Sequence, residues 1–279
     1  MIEPQFREHI RYLEPLAVNT TPEGSLVKPV KAVLFDIYGT LFISGCGDLG
    51  VSAGRTASPL SLGKLLRRFG IKASAPSLVA KLFQTIRNEH LRMQANGIDF
   101  PEIDIEAVWQ SILGWQDVDR VRTFAIAFEW VANPIYPMPG LDHTLRVLRN
   151  RGVTLGLISN AQFYTPLLFN WFLGASPQAL GFDMDLTVYS YRHGEAKPSK
   201  TLFEICSDVL RDRGLRRSSV VYLGNDRRND IWPASEMGWQ TILFAGDRRS
   251  LRWRMDCPEC QSVYPDLVIK DLRELLDWI

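Results

Sequence analysis

Four short polar segments stand directly after apolar runs and carry the groups able to do covalent chemistry. The first is Phe35-Asp36-Ile37-Tyr38-Gly39-Thr40. The second is Leu157-Ile158-Ser159-Asn160, the third Glu195-Ala196-Lys197-Pro198-Ser199, and the fourth Gly224-Asn225-Asp226-Arg227-Arg228-Asn229-Asp230. A carboxylate such as Asp36 can attack an electrophilic centre and form an ester or acyl phosphate, dividing one difficult displacement into two easier ones. Gly39 permits a tight turn and a close approach of substrate, and Thr40 places a hydroxyl beside the nucleophile.

Residues on separate segments meet only if the fold brings the segment ends together. Apolar runs at Lys31 to Ile37, Thr154 to Ser159, Leu186 to Tyr191, Val220 to Leu223, Thr241 to Ala245 and, more weakly, Asp266 to Ile269 read as strands covered on both faces. Helical patterns alternate with them, at Leu141 to Arg151, Thr165 to Phe172, Lys200 to Gly214 and Asn229 to Gly238. This alternation predicts an α/β core with a doubly wound, Rossmann-like parallel sheet, in which ligands bind beyond the carboxyl ends of the strands. The four polar segments occupy those ends.

One interval breaks the alternation. Val79, Leu82, Phe83 and Ile86 follow helical spacing, as do Ile105, Val108, Trp109 and Ile112, then Val121, Phe124, Ala125 and Phe128. An inserted all-helical cap over residues 48–133 is expected, with the α/β core made of 29–47 and 134–279 and an N-terminal arm over 1–28. The segment from Pro134 to Gly140, with three prolines and a glycine, reads as a stiff re-entry into the core.

In this order and at these strand ends, the segments resemble those of the haloacid dehalogenase superfamily of hydrolases. The shared pattern is an Asp-x-x-Gly-Thr nucleophile motif, a Ser ending the next strand, a Lys before Pro-Ser, and a polar-acidic loop leading to Asp-Ile; the insertion point after the first motif matches as well. The resemblance implies a covalent aspartyl intermediate on Asp36, with Thr40, Ser159, Asn160, Lys197 and Asp230 as the other catalytic residues. Ser159 and the Asn160 backbone would hold the transferring group, Lys197 would neutralise developing charge, and Asp230 would position Lys197 or the hydrolytic water. It also implies a magnesium site of hard oxygen donors: Asp36, the Tyr38 carbonyl, and Asn225 or Asp226.

Two departures divide the reaction type. Phosphatases of the superfamily carry an acid where this chain has Tyr38, and Asp-x-Tyr-Gly-Thr is the form found in 2-haloacid dehalogenases, whose halide leaves without a proton. The loop after Leu223 instead resembles metal-binding members, although Asn225 replaces a charged ligand. The leading expectation is magnesium-assisted hydrolysis of a small phosphorylated, anionic substrate. Hydrolysis of a 2-haloacid and a non-catalytic ligand-binding or regulatory role remain the alternatives. Tyr38, Arg87 on the helix from Ser77 to Gln94, and Arg248 in the arginine-rich stretch after Ala245 are the candidate substrate contacts.

Composition sets the outer bounds. The 279 residues are 46% hydrophobic and 11% aromatic, enough for a large core. Lys and Arg number 32 against 31 Asp and Glu, so the formal charge of +1 offers no field for nucleic acid or anionic lipid. The uncharged stretch from Ala161 to Phe182 is broken by Pro166, Asn170 and Pro177, which argues against a membrane span. No signal-like segment opens the chain, so a cytoplasmic protein is expected. The Cys257-Pro-Glu-Cys260 pair reads as a surface turn rather than a zinc site.

Overall fold

A computed structural model of the chain describes residues 10–46 and 59–279. The expected start of the cap insertion at residue 48 and the first nine residues of the arm lie outside the described residues. Strand β2 (Ala32–Phe35) lies inside the sheet and is buried at every position. Its four residues are hydrophobic on both faces because helices cover both sides of the sheet. Strands β5 (Thr154–Ser159) and β7 (Val220–Gly224) flank it in parallel, with Phe35 opposite Leu157 on one side and Leu223 on the other. This register brings the polar residue after each strand to one edge.

With β1 (Glu23–Gly24), β6 (Phe182–Tyr189), β8 (Gln240–Phe244) and β9 (Leu267–Ile269), the sheet runs β1-β9-β8-β7-β2-β5-β6. All pairs are parallel except β1 with β9. Thus residues 10–28 do more than append an arm. Gly24 adopts φ +97 to pair beside Leu267, where any Cβ would meet the Asp266 carbonyl oxygen at 2.0 Å, and Leu26 is buried in the core. Sequence patterning missed β1 because two exposed residues carry no alternation to read.

The short strands β3 (Phe42–Ser44) and β4 (Ile135–Pro137) pair antiparallel below the insertion, so the proline-rich re-entry is itself one half of a two-stranded ribbon. Between them stand α1 (Pro59–Arg68), α2 (Ala75–Ala95), α3 (Ile105–Leu113) and α4 (Val118–Ala132). Local sequence starts each of the last three. Ser74, Asp104 and Asp117 accept hydrogen bonds from the free first-turn N–H groups of α2, α3 and α4. An aromatic cluster then locks the helices: Trp109 of α3 lies 4.9 Å from Phe124 and 4.7 Å from Phe128 of α4, ring centre to ring centre.

Core helices α5 (Leu141–Asn150), α6 (Thr165–Leu173), α7 (Thr201–Asp212) and α8 (Trp232–Glu236) match the expected helical intervals. One differs in kind. The Asn229 to Gly238 pattern resolves into a wide turn over Arg227–Ile231 followed by the short α8, because Pro233 fits only the first turn of a helix. No helix among the described residues is long and apolar enough to cross a membrane.

Candidate active site

Asp36 follows the last residue of β2 and its backbone N–H donates to the Leu223 carbonyl, which fixes its direction out of the sheet edge. Gly39 takes φ +86, and a Cβ there would lie 2.5 Å from the Ser250 Cβ. Only glycine therefore lets the turn close against the loop after β8. The turn carries Thr40 back beneath the carboxylate, where its hydroxyl lies 3.3 Å from Asp36 Oδ2 and 3.1 Å from Asn225 Oδ1.

The other Asp36 oxygen is heavily engaged. Lys197 Nζ donates to Oδ1 at 2.6 Å and Ser159 Oγ donates to it at 3.0 Å. Lys197 also donates to Asp230 Oδ1 at 2.6 Å and to the Tyr222 hydroxyl at 3.2 Å. All three charged groups are buried. Burial pulls the Lys197 ammonium down, but attraction to Asp230 and Asp36 outweighs it and holds the group above its ordinary range. Burial pushes Asp230 up to about 7; Lys197 opposes this, while Asp36 and Asp226 add repulsion. Asp230 in turn accepts from the Asp226 backbone N–H at 2.9 Å, so the acid positions both Lys197 and its own loop.

Asn160 acts on the Lys197 segment rather than on Asp36. Its Oδ1 accepts from the Lys197 backbone N–H at 2.7 Å, locking the loop that carries the ammonium. Asn225 meets Thr40 beside the nucleophile: its Nδ2 donates to the Ser250 carbonyl at 2.6 Å, which turns its Oδ1 toward Thr40. Asp226, the alternative metal ligand, is committed elsewhere. Its carboxylate accepts from the backbone N–H groups of Arg228 and Asn229 and pairs with Arg254 at 2.5 Å. Arg254 holds the left-handed φ of 50 to make that pair.

Of the oxygens expected to hold a hard cation, those of Asp36 and Asn225 both meet the Thr40 hydroxyl, and with the Tyr38 carbonyl they would offer one carboxylate among neutral oxygens. Among the described residues no three His, Cys, Asp or Glu side chains are grouped to share a metal. A hard divalent ion accepts such a set, since amide and carbonyl oxygens are normal ligands for it, and the Thr40 hydroxyl stands between the amide oxygen of Asn225 and Asp36 Oδ2.

Above Asp36 lies a cavity of about 360 Å³ closed on its far side by the cap. Tyr38 lines it, with its hydroxyl 2.9 Å from Thr165 Oγ1. Burial foremost, then the nearby Glu129, raises the Tyr38 phenol far above its ordinary range, so it stays protonated. The cap half holds two acids that composition and motifs did not reveal. Glu129 of α4 accepts from Tyr164 at 3.2 Å and from Asn133 at 3.1 Å; Glu102 accepts from Ser190 at 2.6 Å and Gln162 at 3.2 Å. Burial pushes each up to about 7. Neither had a sequence signal, since Glu129 interrupts an apolar helical face and Glu102 sits in a linker.

The two expected arginine contacts are not in this cavity. Arg87 projects from an exposed position of α2, whose pocket-facing residues are Leu82, Phe83, Ile86 and His90. Arg248 is also exposed and its backbone N–H donates to Leu16. Of the same run it is Arg252 that lines the cavity, at the core end beside Asn225 and Ser250. The Cys257-Pro-Glu-Cys260 pair forms a tight turn whose second cysteine is buried, not a purely surface feature.

Cap and core meet along the Lys197 loop. The Ala196 N–H donates to Phe100 at 2.7 Å, the Glu102 N–H donates to Gly194 at 3.0 Å, and Gln162 accepts from the Ile105 N–H at 3.0 Å. Glu102 sits within this seam. Its native pKa lies above the unfolded carboxylate range, so its contribution to stability is complete at acid pH and is lost as pH rises through about 7. We expect Glu102→Gln to flatten the loss of stability between pH 5.5 and 8, by about 2 kcal/mol at most. Urea unfolding at the two pH values reads this. An unchanged slope would show that Glu102 is not a group that takes up a proton there.

Residues 30–238 match the model of the haloacid dehalogenase-like hydrolases. The chain belongs to this family. Over 261 residues it is 27% identical to a phosphoglycolate phosphatase of Pseudomonas putida, covering 88% of this chain and 78% of that one. It is 26% identical to a glyceraldehyde 3-phosphate phosphatase of Methanocaldococcus jannaschii, over 60% of this chain and 68% of that one. Among solved structures, a 2-haloacid dehalogenase of Pseudomonas syringae superposes with a TM-score of 0.55 at 22% identity, covering 89% of this chain and 97% of that one. A HAD phosphatase of Thermococcus onnurineus superposes with 0.51 at 19% identity and the same coverage. Members of both reaction types share the fold, so the family makes this chain a hydrolase and leaves the bond it breaks to the site.

Proposed function

We propose that this hydrolase cleaves phosphate esters or activated phosphates through a covalent aspartyl phosphate on Asp36. Oδ2 attacks phosphorus while Lys197 and Ser159 hold Oδ1, and the leaving oxygen departs with its bonding pair. Water then attacks the same phosphorus, the Asp36–phosphate bond breaks, and inorganic phosphate and the carboxylate are restored. The observation that carries this reading is the charge layout of the cavity. Its cations, Lys197 and Arg252, stand at the Asp36 end together with Asp36, Asp226 and Asp230, where a phosphoryl group would bind, while the cap half is lined by Glu102 and Glu129 with no arginine or lysine among the described residues. A 2-haloacid would bring its carboxylate toward two buried acids. The Asp-x-Tyr-Gly-Thr loop favours dehalogenation, and that remains the second reading.

Magnesium bound by Asp36, the Tyr38 carbonyl and Asn225 would supply neutralising charge for the phosphoryl group. The Asp226–Arg254 pair makes Asp226 a structural residue in this account, so Asn225→Asp is the substitution that should tighten the metal. Phosphate release from p-nitrophenyl phosphate, assayed with magnesium and with chelator beside halide release from 2-chloropropionate, tests the reading. Metal-dependent phosphate release supports it; chelator-indifferent halide release overturns it.

Tyr38 is a poor proton donor to a leaving alkoxide, because burial raises its phenol far above its ordinary range and disfavours the tyrosinate that donation would leave. Aryl and acyl phosphates should therefore exceed alkyl phosphates in kcat/KM by about a hundredfold or more, the usual worth of a general acid, and Tyr38→Asp should narrow the gap. Equal rates for p-nitrophenyl and propyl phosphate, with chemistry limiting, would assign the acid to another residue.

A further inference from the structure

The far half of the cavity has a chemistry of its own. Glu129 and Glu102 are its titratable acids, and Trp109, Phe128 and Tyr164 line it with aromatic surface. The groups of opposite tendency are few: Lys197 and Arg252 lie at the reaction end, and burial lowers the His90 imidazole so that it is neutral near pH 7. The two acids are not equally available. Glu102 accepts from Ser190, Gln162 and the Ile103 N–H, whereas Glu129 accepts from Asn133 and Tyr164, one donor on each oxygen. In its ionised form, which an ammonium would favour, each Glu129 oxygen keeps a lone pair for a ligand.

An anionic leaving group placed there would lose its hydration beside two acids and gain no cation in return. A neutral apolar stem fits the walls. A cation fits walls and acid together, because an ammonium is attracted both by aromatic faces and by a carboxylate. Size agrees: a cavity of about 150 Å³ already holds a benzene ring, and the 360 Å³ here leaves room for a phosphoryl group at Asp36 and a ring-sized stem beyond it.

We propose that the site selects phosphate esters whose leaving group is an apolar or aromatic stem ending in an ammonium, with Glu129 as its counter-ion. This rests on the phosphate-hydrolase reading above. It separates the chain from the relative named for a carboxylate-bearing phosphate, since a carboxylate at the far end would meet Glu129 and Glu102.

Three aryl phosphates of similar leaving ability test the selection: 4-(aminomethyl)phenyl, 4-ethylphenyl and 4-(carboxymethyl)phenyl phosphate, with p-nitrophenyl phosphate as the reference for the reaction itself. The ammonium ester should exceed the ethyl ester by about tenfold in kcat/KM, mostly through KM, and the carboxymethyl ester should fall about tenfold below it. In Glu129→Gln the ratio of ammonium to ethyl ester should collapse toward one; the wild-type ratio carries the test even if this variant folds poorly. Hydrolysis of p-nitrophenyl phosphate with no preference for the ammonium ester, or with preference for the carboxymethyl ester, overturns the proposal and spares the reaction. Should no phosphate ester turn over, the reaction reading fails, and calorimetric titration of the same esters decides: tighter binding of the ammonium ester supports the selection, and equal binding overturns it.

Discussion

Asp36→Asn should lower turnover at least about a thousandfold, which corresponds to roughly 4 kcal/mol of barrier, while leaving the fold intact. The amide is nearly isosteric but a poor nucleophile. The fold should survive because Lys197 keeps Asp230 as its partner at 2.6 Å, and the substitution removes one of two carboxylates that repel across a shared ammonium. Steady-state rates with p-nitrophenyl phosphate, read beside a thermal melt, check both halves. More than a tenth of wild-type activity would remove Asp36 from the nucleophile role.

Replacing the ammonium itself should do more structural damage. Lys197→Met leaves Asp36 and Asp230 buried and facing each other with no cation between them. Breaking a buried charge cluster by removing one partner costs about 3–5 kcal/mol, and activity should fall at least about a hundredfold with the lost stabilisation of developing charge. The sign of the pH dependence follows from the same geometry. Without Lys197 the carboxyl that is already raised to about 7 rises further, so protonation relieves the repulsion at acid pH. The stability defect, measured by urea unfolding, should be largest above pH 7 and shrink toward pH 5.5. An equal defect at both pH values would mean that the cluster is not what the lysine neutralises.

What the sequence made legible is the part governed by short-range pattern. The buried runs around Phe35, Leu157 and Leu223 announce parallel strands, and the residues just beyond them reach one edge because parallel registry forces them there. Asp36 and Ser159 lie at those strand ends, Lys197 and Asp230 are singled out by the family resemblance of their loops, and the structure brings the four within hydrogen-bond distance. Long-range pairings were not legible. Nothing adjacent to Asp226 foretells its pairing with Arg254, a left-handed residue from a loop 28 positions away. Tyr222, which supports Lys197 from below, looks like one more apolar strand residue. Glu129 was hidden for the opposite reason: an acid within a helical apolar face reads as a break in the pattern, and only its place against Tyr164 and the cavity gives it meaning. Arg87 does not line the cavity because helical phase, one residue from Ile86, turns it to solvent.

The central claim is that Asp36 carries the phosphoryl group and that water attacks phosphorus. A single turnover with enzyme in excess over p-nitrophenyl phosphate in ¹⁸O-labelled water distinguishes this from the ester route, because an ester on Asp36 is hydrolysed at the carboxyl carbon. Mass spectrometry of the released phosphate and of the peptide containing Asp36 reads the destination of the label. One labelled oxygen in phosphate and none in Asp36 is the expected result; label in the Asp36 carboxylate, with unlabelled phosphate, would rule out the aspartyl phosphate.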